Sequence, residues 1–446
     1  MWPACWTLWT WRRLRSFGGT ENSKCSELKL AEVKEFPTQL GEGPKSKRKF
    51  QVRSLGLKPL PQLKNFTESG WPSTSSEVLQ KLAGDPSRGK LGEAQQQLLC
   101  KGYPLEEAER AARGLRQLSE AKRMQHSLSG FIRPLLEYSA TDGRIHPQWK
   151  WDTATGRLAC SSPNLQNLPT VGHDRYRLRD AFCPGPGRAF VVADYSQLEL
   201  RVLAHMAACP SMLEKLSLGG DYHSEVAAEM FPHIAKAVED GEVAVNEGEG
   251  SGRPTVKERF GKERSKAKAV NFGIVYGKTA RSLGEDLGIS QQEAKELIEA
   301  WYDSKPEVRG WSEQVVREGK RTKHVRSLLG RHRHLPFITS YEWPALQARS
   351  QRAAVNFGIQ GSAADIVLAA MLQLWKHAWL AEQGFRLVLQ VHDEFVLEGP
   401  EAQAERAVEV VREVMMEPFR VHSPGFSLRL PLTVDITVAG SFGSAK

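Results

Sequence analysis

The sequence is poor in cysteine, and its few cysteines are widely scattered. None of the six stands in a CxxC pair. This spacing argues against a zinc ribbon and against a disulfide framework, so it favours a protein of a reducing compartment. The six are Cys5, Cys25, Cys100, Cys160, Cys183 and Cys209.

Acidic residues are absent from the first twenty positions, which contain Arg12, Arg13 and Arg15. Acid-poor, arginine-bearing leaders are typical of organelle presequences. The basic, proline-punctuated stretch that follows, to about residue 66, is typical of a linker. Two alternatives stay open here: a disordered or wrongly joined leader, and a nuclear import signal within the basic stretch.

Apolar runs long enough to cross a membrane are also lacking, since no stretch approaches about 18 apolar residues. The sequence therefore predicts no membrane-spanning segment. What is present is positive charge: the 446 residues carry a net charge of +9, with an isoelectric point near 9.2 and a mean hydropathy of −0.43. This balance favours a polyanionic partner such as nucleic acid, although a basic tail that aids solubility or targeting would give the same totals.

The stretch RLVLQVHDEFVLEG, residues 386–399, predicts a buried β-hairpin with an acidic turn. β-Branched and aromatic residues form both arms. His392, Asp393 and Glu394 lie between them. Adjacent carboxylates beside buried strands carry a desolvation cost that a partner must offset. The hairpin therefore indicates a cation-binding site.

A second carboxylate follows another buried strand. The stretch AFVVADYSQLELRVLAHMA predicts a strand that ends at Asp194 and a helix after it. Asp194 and Asp393 together would hold two metal ions about 3.5–4 Å apart, an arrangement used in phosphoryl transfer. The alternative is that Asp194 only caps its helix and Asp393 only forms a turn.

The stretch RSKAKAVNFGIVYG places Arg264, Lys268, Phe272 and Tyr276 at intervals of four residues. On a helix these four side chains form one stripe. Two cations followed by two aromatic rings suit a nucleoside triphosphate, because cations bind phosphates and rings stack on the base. The alternative is an ordinary amphipathic helix with both rings in the core.

Three stretches, DYSQLELR, RSKAKAVNFGIVYG and VHDE, resemble in order and spacing the three motifs of the family A DNA polymerases, the bacterial polymerase I type. Two more, TATGRLACSSPNLQNLP and QRAAVNFGIQGSAADI, are similar to that family too. The resemblance runs from about Pro72 to the C-terminus. Within the family it is strongest to plant and protist organellar polymerases, with the animal theta and nu group next.

The resemblance implies an α/β (α+β) right-hand polymerase fold with an antiparallel palm sheet and helical fingers. Its implied boundaries are a leader at 1–66, a thumb at 67–140, a first palm segment at 141–206, fingers at 207–350 and a second palm segment at 351–446. Ser and Thr before Glu77 predict a helix start there, and helical periodicity continues to about Glu137.

The resemblance also implies the catalytic residues. Asp194, Asp393 and the backbone carbonyl of Tyr195 would bind two Mg²⁺ ions. Glu394 would support this cluster. Lys268 would hold the triphosphate and protonate the leaving pyrophosphate.

Further roles follow from the same resemblance. Glu199 would exclude the 2′-hydroxyl of ribonucleotides, the alternative being a surface helix carboxylate that pairs with Arg201 or a neighbour. The implied nucleotide-binding residues are Arg264, Lys268, Phe272, Tyr276, Gln197, Glu199 and His223. The implied DNA-binding residues are Arg157, Asn164, Gln166, Arg352, Asn356, Gln360 and His392.

The function implied is template-directed addition of deoxyribonucleotides to a primer 3′-hydroxyl, in organellar DNA replication and repair in the mitochondrion, the plastid or both. The alternative is a nuclear repair or translesion polymerase of the theta or nu type. Primer–template DNA and deoxynucleoside triphosphates are the implied partners, and an organellar helicase or single-strand binding protein is a further candidate.

Three other functions fit the residues less well. A single-subunit RNA polymerase would lack the Gln197-Leu198-Glu199 segment, a catalytically inactive scaffold would lose a metal carboxylate, and a nuclease would not need the stripe. Organellar relatives often carry a proofreading domain with clustered carboxylates. In this chain the first aspartate is Asp85, inside the expected thumb. The sequence therefore predicts no proofreading exonuclease in this chain.

Overall fold

The structure is a computed structural model that describes residues 74–85, 89–139, 142–169, 174, 176–246, 252–421 and 423–445. The expected leader and linker, residues 1–66, lie outside these ranges. The described residues belong to two compact units, one that ends at residue 139 and one that begins at residue 140.

The first unit is mainly helical. Its elements are α1 (Ser76–Ala83), β1 (Gly84–Asp85), β2 (Lys90–Leu91), α2 (Glu93–Cys100), α3 (Leu105–Ser127), a π-helical turn (Leu128–Ile132) and α4 (Arg133–Glu137). The Ser75 side chain accepts a hydrogen bond from the Val78 amide at 3.4 Å and so caps α1. The predicted helix start is confirmed, and so is the predicted end of the helical stretch at Glu137. The assignment of this unit as a thumb stays a prediction.

The second unit contains the longer strands. They are β3 (Gln148–Lys150), β4 (Ala159–Ser161), β5 (Arg188–Tyr195), β6 (His324–Arg326), β7 (His332–His334), β8 (Arg386–Val391), β9 (Glu394–Pro400) and β10 (Val434–Ala439). Four of them form one antiparallel sheet in the order β10–β5–β9–β8. The predicted strand that ends near Asp194 and the predicted hairpin at 386–399 are both confirmed.

The second unit also contains α-helices. They are α5 (Leu198–Ala207), α6 (Pro210–Leu218), α7 (Tyr222–Met230), α8 (Pro232–Glu239), α9 (Val256–Arg259), α10 (Gly261–Tyr276), α11 (Ala280–Leu287), α12 (Gln291–Asp303), α13 (Pro306–Thr322), α14 (Pro344–Lys376), α15 (Ala378–Glu382) and α16 (Ala404–Met416). Local signals explain several boundaries. Ser290 and Glu293 form a reciprocal capping box at the start of α12, and Gly277, in the left-handed region, ends α10.

One hydrophobic core joins the sheet to the helices. Val191 of β5, Leu203 of α5, Val270 of α10 and Ile359 of α14 all belong to it, and each is fully buried. The apolar character of β5, which the sequence shows as a continuous run, is thus explained by burial on both faces. This shared core fixes α5, α10 and α14 relative to the end of β5.

Helix α14 is long and apolar. By length and composition it could cross a membrane, since an 18-residue window within it has a mean hydropathy of 1.4. It is not an unbroken apolar run, because polar residues such as Gln360, Ser362 and Asp365 interrupt it. In the structure 72% of that window is buried inside the protein, so its apolar residues belong to the core of the second unit. The helix also runs unbroken across the expected fingers–palm boundary at residues 350 and 351.

Gly399 supplies a test of how tightly the sheet is packed. It lies in β9, where a Cβ atom would stand 2.0 Å from Cδ1 of the buried Phe385 ring. Gly399→Ala should therefore displace this ring and lower the free energy of unfolding by about 1–3 kcal/mol. Thermal denaturation followed by circular dichroism measures the change. Gly425→Ala is the control, because a Cβ there meets no atom of the described chain within 4 Å; equal Tm values for the two variants would contradict the prediction.

Candidate active site

Two acidic segments meet at one edge of the sheet. Asp194 lies directly opposite Glu394 in the register of β5 and β9, and directly paired residues project their side chains from the same face. The Tyr195 amide donates to the Asp393 carbonyl at 3.3 Å. The fold thus brings the end of β5 to the turn between β8 and β9, as the sequence predicted for Asp194 and Asp393.

Each acidic segment contains a left-handed residue that is not glycine. Gln197 has φ of 56° at the start of α5, and His392 has φ of 57° in the hairpin turn. This backbone region disfavours residues with a Cβ and is retained where the surrounding structure enforces it. Both positions carry side chains that the sequence assigns to substrate binding. Both strained residues therefore lie within the two segments that meet at this edge of the sheet.

The centre of the site has more negative than positive charge. Arg157 Nη2 pairs with Glu199 Oε1 and lies 3.6 Å from Asp393 Oδ1. Asp393 Oδ1 is buried and accepts no hydrogen bond from the part of the chain that the structure describes. Burial, followed by the negative charges of Glu199 and Asp194, raises the pKa of Asp393 to about 7, against the opposing effect of Arg157.

This arrangement fits a divalent cation. A cation beside Asp393 would offset the burial and like charges that raise its pKa, and carboxylate and carbonyl oxygens are the ligands that Mg²⁺ prefers. Within the described ranges, no three His, Cys, Asp or Glu side chains form a metal-binding group. Asp194, Asp393 and the Tyr195 carbonyl would therefore leave several ligand positions to water and substrate, which is usual for Mg²⁺.

Glu394 has a cationic neighbour that the sequence did not reveal. Glu394 is 2% exposed, and the Arg179 guanidinium lies close enough for their charges to interact. Arg179 is itself buried, donates to the Pro169 carbonyl at 2.9 Å and stacks over the Phe442 ring at 4.7 Å. Burial lowers the pKa of Arg179. No local spacing links Arg179 to the acidic hairpin, so only the fold could identify this contact.

Glu199 is held by two residues from other segments. It is 6% exposed, pairs with Arg157 and accepts a hydrogen bond from the Tyr276 hydroxyl at 3.2 Å. Burial and the charge of Glu199 raise the pKa of Tyr276 to about 12, so its hydroxyl remains a donor at neutral pH. The alternative of a surface carboxylate paired with Arg201 is wrong, because Arg201 instead donates to three backbone carbonyls.

The predicted stripe is present on α10. Lys268 Nζ lies 5.9 Å from the centroid of the Phe272 ring, and this ring stacks on Tyr276 at 6.1 Å with 17° between the ring planes. Val270 and Val275 are fully buried, whereas Tyr276 is 40% exposed. The helix therefore turns a different face to the core. The alternative that both rings are core residues is wrong for Tyr276.

The cationic end of the stripe is joined to α7. Arg264 donates to both carboxylate oxygens of Asp221, at 2.5 and 2.9 Å. Asp221 caps α7, the helix that carries His223. His223 Nδ1 lies 2.9 Å from the side-chain amide nitrogen of Asn271. Burial, together with the charges of Lys268 and Arg264, lowers the pKa of His223 to about 4, so its ring is neutral at pH 7.

A polar cavity of about 410 Å³ adjoins these residues. The Asn246 side chain, from the loop after α8, accepts a hydrogen bond from the Asp221 amide at 2.6 Å and so fixes one wall. Asp221, Asn246 and Lys257 were not identified from the sequence, although Asp221 stands two positions before His223. The lining consists of Gln197, Gly220, Asp221, His223, Val245, Asn246, Thr255, Lys257 and Arg264.

The predicted DNA-binding residues have varied surroundings. Arg157 faces the acidic centre, as described above. Gln166 donates to the Gln390 carbonyl and Asn356 to the Val275 carbonyl, at 3.2 and 3.1 Å. The others are Asn164, which accepts from the Gln166 amide, the exposed residues Arg352 and His392, and the half-buried Gln360. Arg352, Asn356 and Gln360 share one face of α14 because they are four residues apart. Their contact with DNA stays a prediction.

Comparison with known proteins gives the family. The model of DNA polymerase family A matches residues 42–444. Two chloroplastic/mitochondrial proteins of Arabidopsis thaliana, DNA polymerase I A and I B, are 37% and 38% identical over 96% of this chain. The thermostable DNA polymerase I of Thermus aquaticus is 36% identical over 71% of it. The chain spans 45%, 46% and 35% of the lengths of these three proteins.

A solved structure gives the fold. The POL domain of Pol1 from M. smegmatis, in complex with DNA primer-template and dNTP, matches with a TM-score of 0.62 and 30% identity, over 86% of this chain and 59% of that one. The right-hand polymerase fold predicted from the sequence is confirmed. The predicted likeness to plant organellar polymerases is confirmed as well. The chain belongs to DNA polymerase family A.

Proposed function

We propose that this chain is a template-directed DNA polymerase that adds deoxyribonucleotides to a primer 3′-hydroxyl. The observation that supports this most directly is the hydrogen bond between Tyr276 and Glu199, which joins the cationic and aromatic stripe to the acidic edge. A triphosphate on the stripe would then have its α-phosphate beside the carboxylates. The M. smegmatis relative, which binds primer-template and dNTP, supports the same substrates here.

Different residues of the site have different roles in phosphoryl transfer. Asp194 and Asp393, with the Tyr195 carbonyl, would hold two Mg²⁺ ions, which supply charge neutralisation and activate the primer hydroxyl. Arg264 and Lys268 bind the triphosphate. Lys268 also donates a proton to the departing pyrophosphate. Catalysis then depends mainly on positioning and electrostatic stabilisation.

Other residues in the site select the nucleotide. The neutral ring of His223 donates a hydrogen bond to a phosphate oxygen without adding charge to a pocket that already holds two cations. Glu199, fixed by Arg157 and Tyr276, presents a rigid carboxylate to the sugar. Glu199 would exclude a 2′-hydroxyl by its bulk.

The chloroplastic and mitochondrial names of the plant relatives support a place in organellar DNA replication and repair, in mitochondrion, plastid or both. Primer–template DNA and deoxynucleoside triphosphates are the substrates. An organellar helicase or single-strand binding protein is a further partner.

The metal-binding role of the two aspartates is tested by isosteric neutralisation. Asp194→Asn or Asp393→Asn should lower the rate of primer extension by about 1000-fold or more, since several kcal/mol of transition-state stabilisation are lost. Binding of duplex DNA should remain within a few-fold, because phosphate contacts elsewhere supply that affinity. Single-turnover extension and fluorescence anisotropy measure the two effects.

Asp435→Asn is the matched control for this test. Asp435 is exposed, stands directly opposite Asp194 on β10 and accepts a hydrogen bond from the Ser196 hydroxyl at 2.7 Å. The Asp435→Asn variant removes the same charge from the same edge of the sheet but should retain activity. Equal loss in all three variants would show that net charge, and not these two carboxylates, is what matters.

The phosphate-binding role of the stripe is tested at Lys268. Lys268→Ala should slow single-turnover incorporation by about 100- to 1000-fold, because a charge beside the transferred phosphoryl group is lost. Lys266→Ala is the control, since Lys266 lies two residues away on α10 and so about 200° around its axis. If both variants incorporate nucleotides at the wild-type rate, the stripe does not bind the triphosphate.

Sugar selection is tested at Glu199. Glu199→Ala should raise the use of ribonucleotides relative to deoxyribonucleotides by roughly 10- to 100-fold, because the barrier is one of shape. Glu199→Gln keeps the bulk and should retain most of the discrimination. The ratio of kcat/KM for the two sugars is the quantity to measure. Unchanged discrimination in Glu199→Ala would mean that the carboxylate only organises Arg157 and Tyr276.

A further inference from the structure

The loop between β7 and α14 exposes three large aromatic side chains within seven residues. Phe337 is 47% exposed, Tyr341 is 88% exposed and Trp343 is 59% exposed. An aromatic ring in water forgoes the free energy that burial would provide, so a local concentration of exposed rings marks a binding surface. We call these three residues the aromatic loop.

The exposure of these rings is built into the loop. Leu335 and Ile338 are buried in a small core with Phe357 of α14. The Leu335 amide donates to the Lys323 carbonyl at 2.8 Å, and the Ile338 amide donates to the Leu335 carbonyl at 3.2 Å. Trp343 precedes Pro344, the first residue of α14. The apolar residues that can be buried are thus buried, and the aromatic loop is directed outward.

The aromatic loop lies in the most one-sided charged stretch of the second unit. Residues 320–352 contain eight Lys and Arg residues, three His residues and a single acid, Glu342. Arg331 pairs with the buried Asp365 and so has a structural role. The exposed cations among the rest are Lys320, Arg321, Lys323, Arg326, Arg349 and Arg352.

Rings interleaved with cations suit single-stranded nucleic acid. Unpaired bases stack on aromatic side chains, and the cations meet the phosphates between them. A duplex keeps its bases stacked internally and would leave the rings unused. A protein partner is less suited, because the cores of protein interfaces are depleted in charge. The chemistry of this surface therefore favours an unpaired strand.

The position of the aromatic loop, just before α14, indicates which DNA strand it would bind. Asn356, on the same helix, donates to the Val275 carbonyl, next to the Tyr276 that contacts Glu199. Trp343 precedes Asn356 by thirteen residues, which is about 20 Å along a helix. A strand that leads to the nascent base pair can therefore reach the aromatic loop a few nucleotides before it pairs. The template strand is the one that enters unpaired.

We propose that the aromatic loop, with the cations around it, binds the single-stranded template ahead of the primer end. This inference rests on the proposed function. Each ring provides a stacking surface for one base, and the guanidinium of Arg349 binds the phosphates. The surface holds the template extended, so that the next base is presented unstacked to the nucleotide site.

Equilibrium binding to primer–templates with different 5′ overhangs tests the proposal. Fluorescence anisotropy would compare a blunt duplex, a two-nucleotide overhang and a twelve-nucleotide overhang. Trp343→Ala should weaken binding of the long overhang by about tenfold, with Tyr341→Ala adding to it, and should leave the blunt duplex unchanged. Trp343→Phe should restore most of the affinity. Arg349→Ala should make the affinity for the long overhang, and for that DNA only, less dependent on salt concentration.

Trp375→Ala is the matched control. Trp375 is 49% exposed and lies near the C-terminal end of α14, thirty-two residues from Trp343. Because Trp343 is exposed, its variants should keep the wild-type Tm, and a Tm measurement confirms this. The overhang-specific loss should be absent in Trp375→Ala.

Several outcomes would overturn the proposal. One is an equal loss of affinity for blunt and overhanging DNA in Trp343→Ala. Another is an unchanged affinity for the long overhang in the double variant Trp343→Ala, Tyr341→Ala. The binding measurements need no catalysis, so they stand apart from the proposed function. Wild-type protein that binds overhangs through the aromatic loop but extends no primer would refute only the polymerase proposal.

Discussion

The site depends on the crowding of carboxylates at one edge of the sheet. Asp393 interacts electrostatically with both Glu199 and Asp194, and the Arg157 guanidinium faces Asp393 and Glu199. Arg157 lowers the pKa of Asp393, but burial and the negative charges of Glu199 and Asp194 outweigh this effect and raise that pKa to about 7. An arrangement of this kind is costly in isolation and becomes favourable once cations enter it. The fold therefore holds the carboxylates in an arrangement that a bound metal cation would stabilise.

The rest of the second unit holds these carboxylates in position. The register of β5 and β9 sets Asp194 opposite Glu394, and a shift of one residue would turn one side chain to the opposite face. The common core of β5, α5, α10 and α14 then holds Glu199 and Tyr276 in contact across two helices. Charged groups can be held this close together only because apolar packing around them is extensive. Stability comes from the core, and it is what makes the electrostatic arrangement possible.

Sequence patterns predicted the elements that follow local rules. The strand before Asp194, the hairpin around Asp393 and the stripe that ends at Tyr276 depend on alternation, turn residues and helical period. These rules act over a few residues, so they can be applied to the sequence directly. Helix α14 shows their limit. A helix buried on most sides and a helix that spans a membrane have the same composition, and only its neighbours distinguish them.

The pairings across elements could not be predicted in this way. Arg157 with Glu199, Arg264 with Asp221 and the proximity of Arg179 to Glu394 join residues that no spacing relates. Each depends on which side chains face each other after the core has formed, and that is a property of the whole fold.

The pairing of Arg157 with the carboxylates has a large effect on the chemistry of the site. Arg157 was expected to bind DNA, yet its guanidinium lies among the carboxylates, so a cation that enters the acidic edge competes with it for the same negative charge. Metal binding and the freedom of Arg157 to contact a duplex are for that reason coupled through one electrostatic balance.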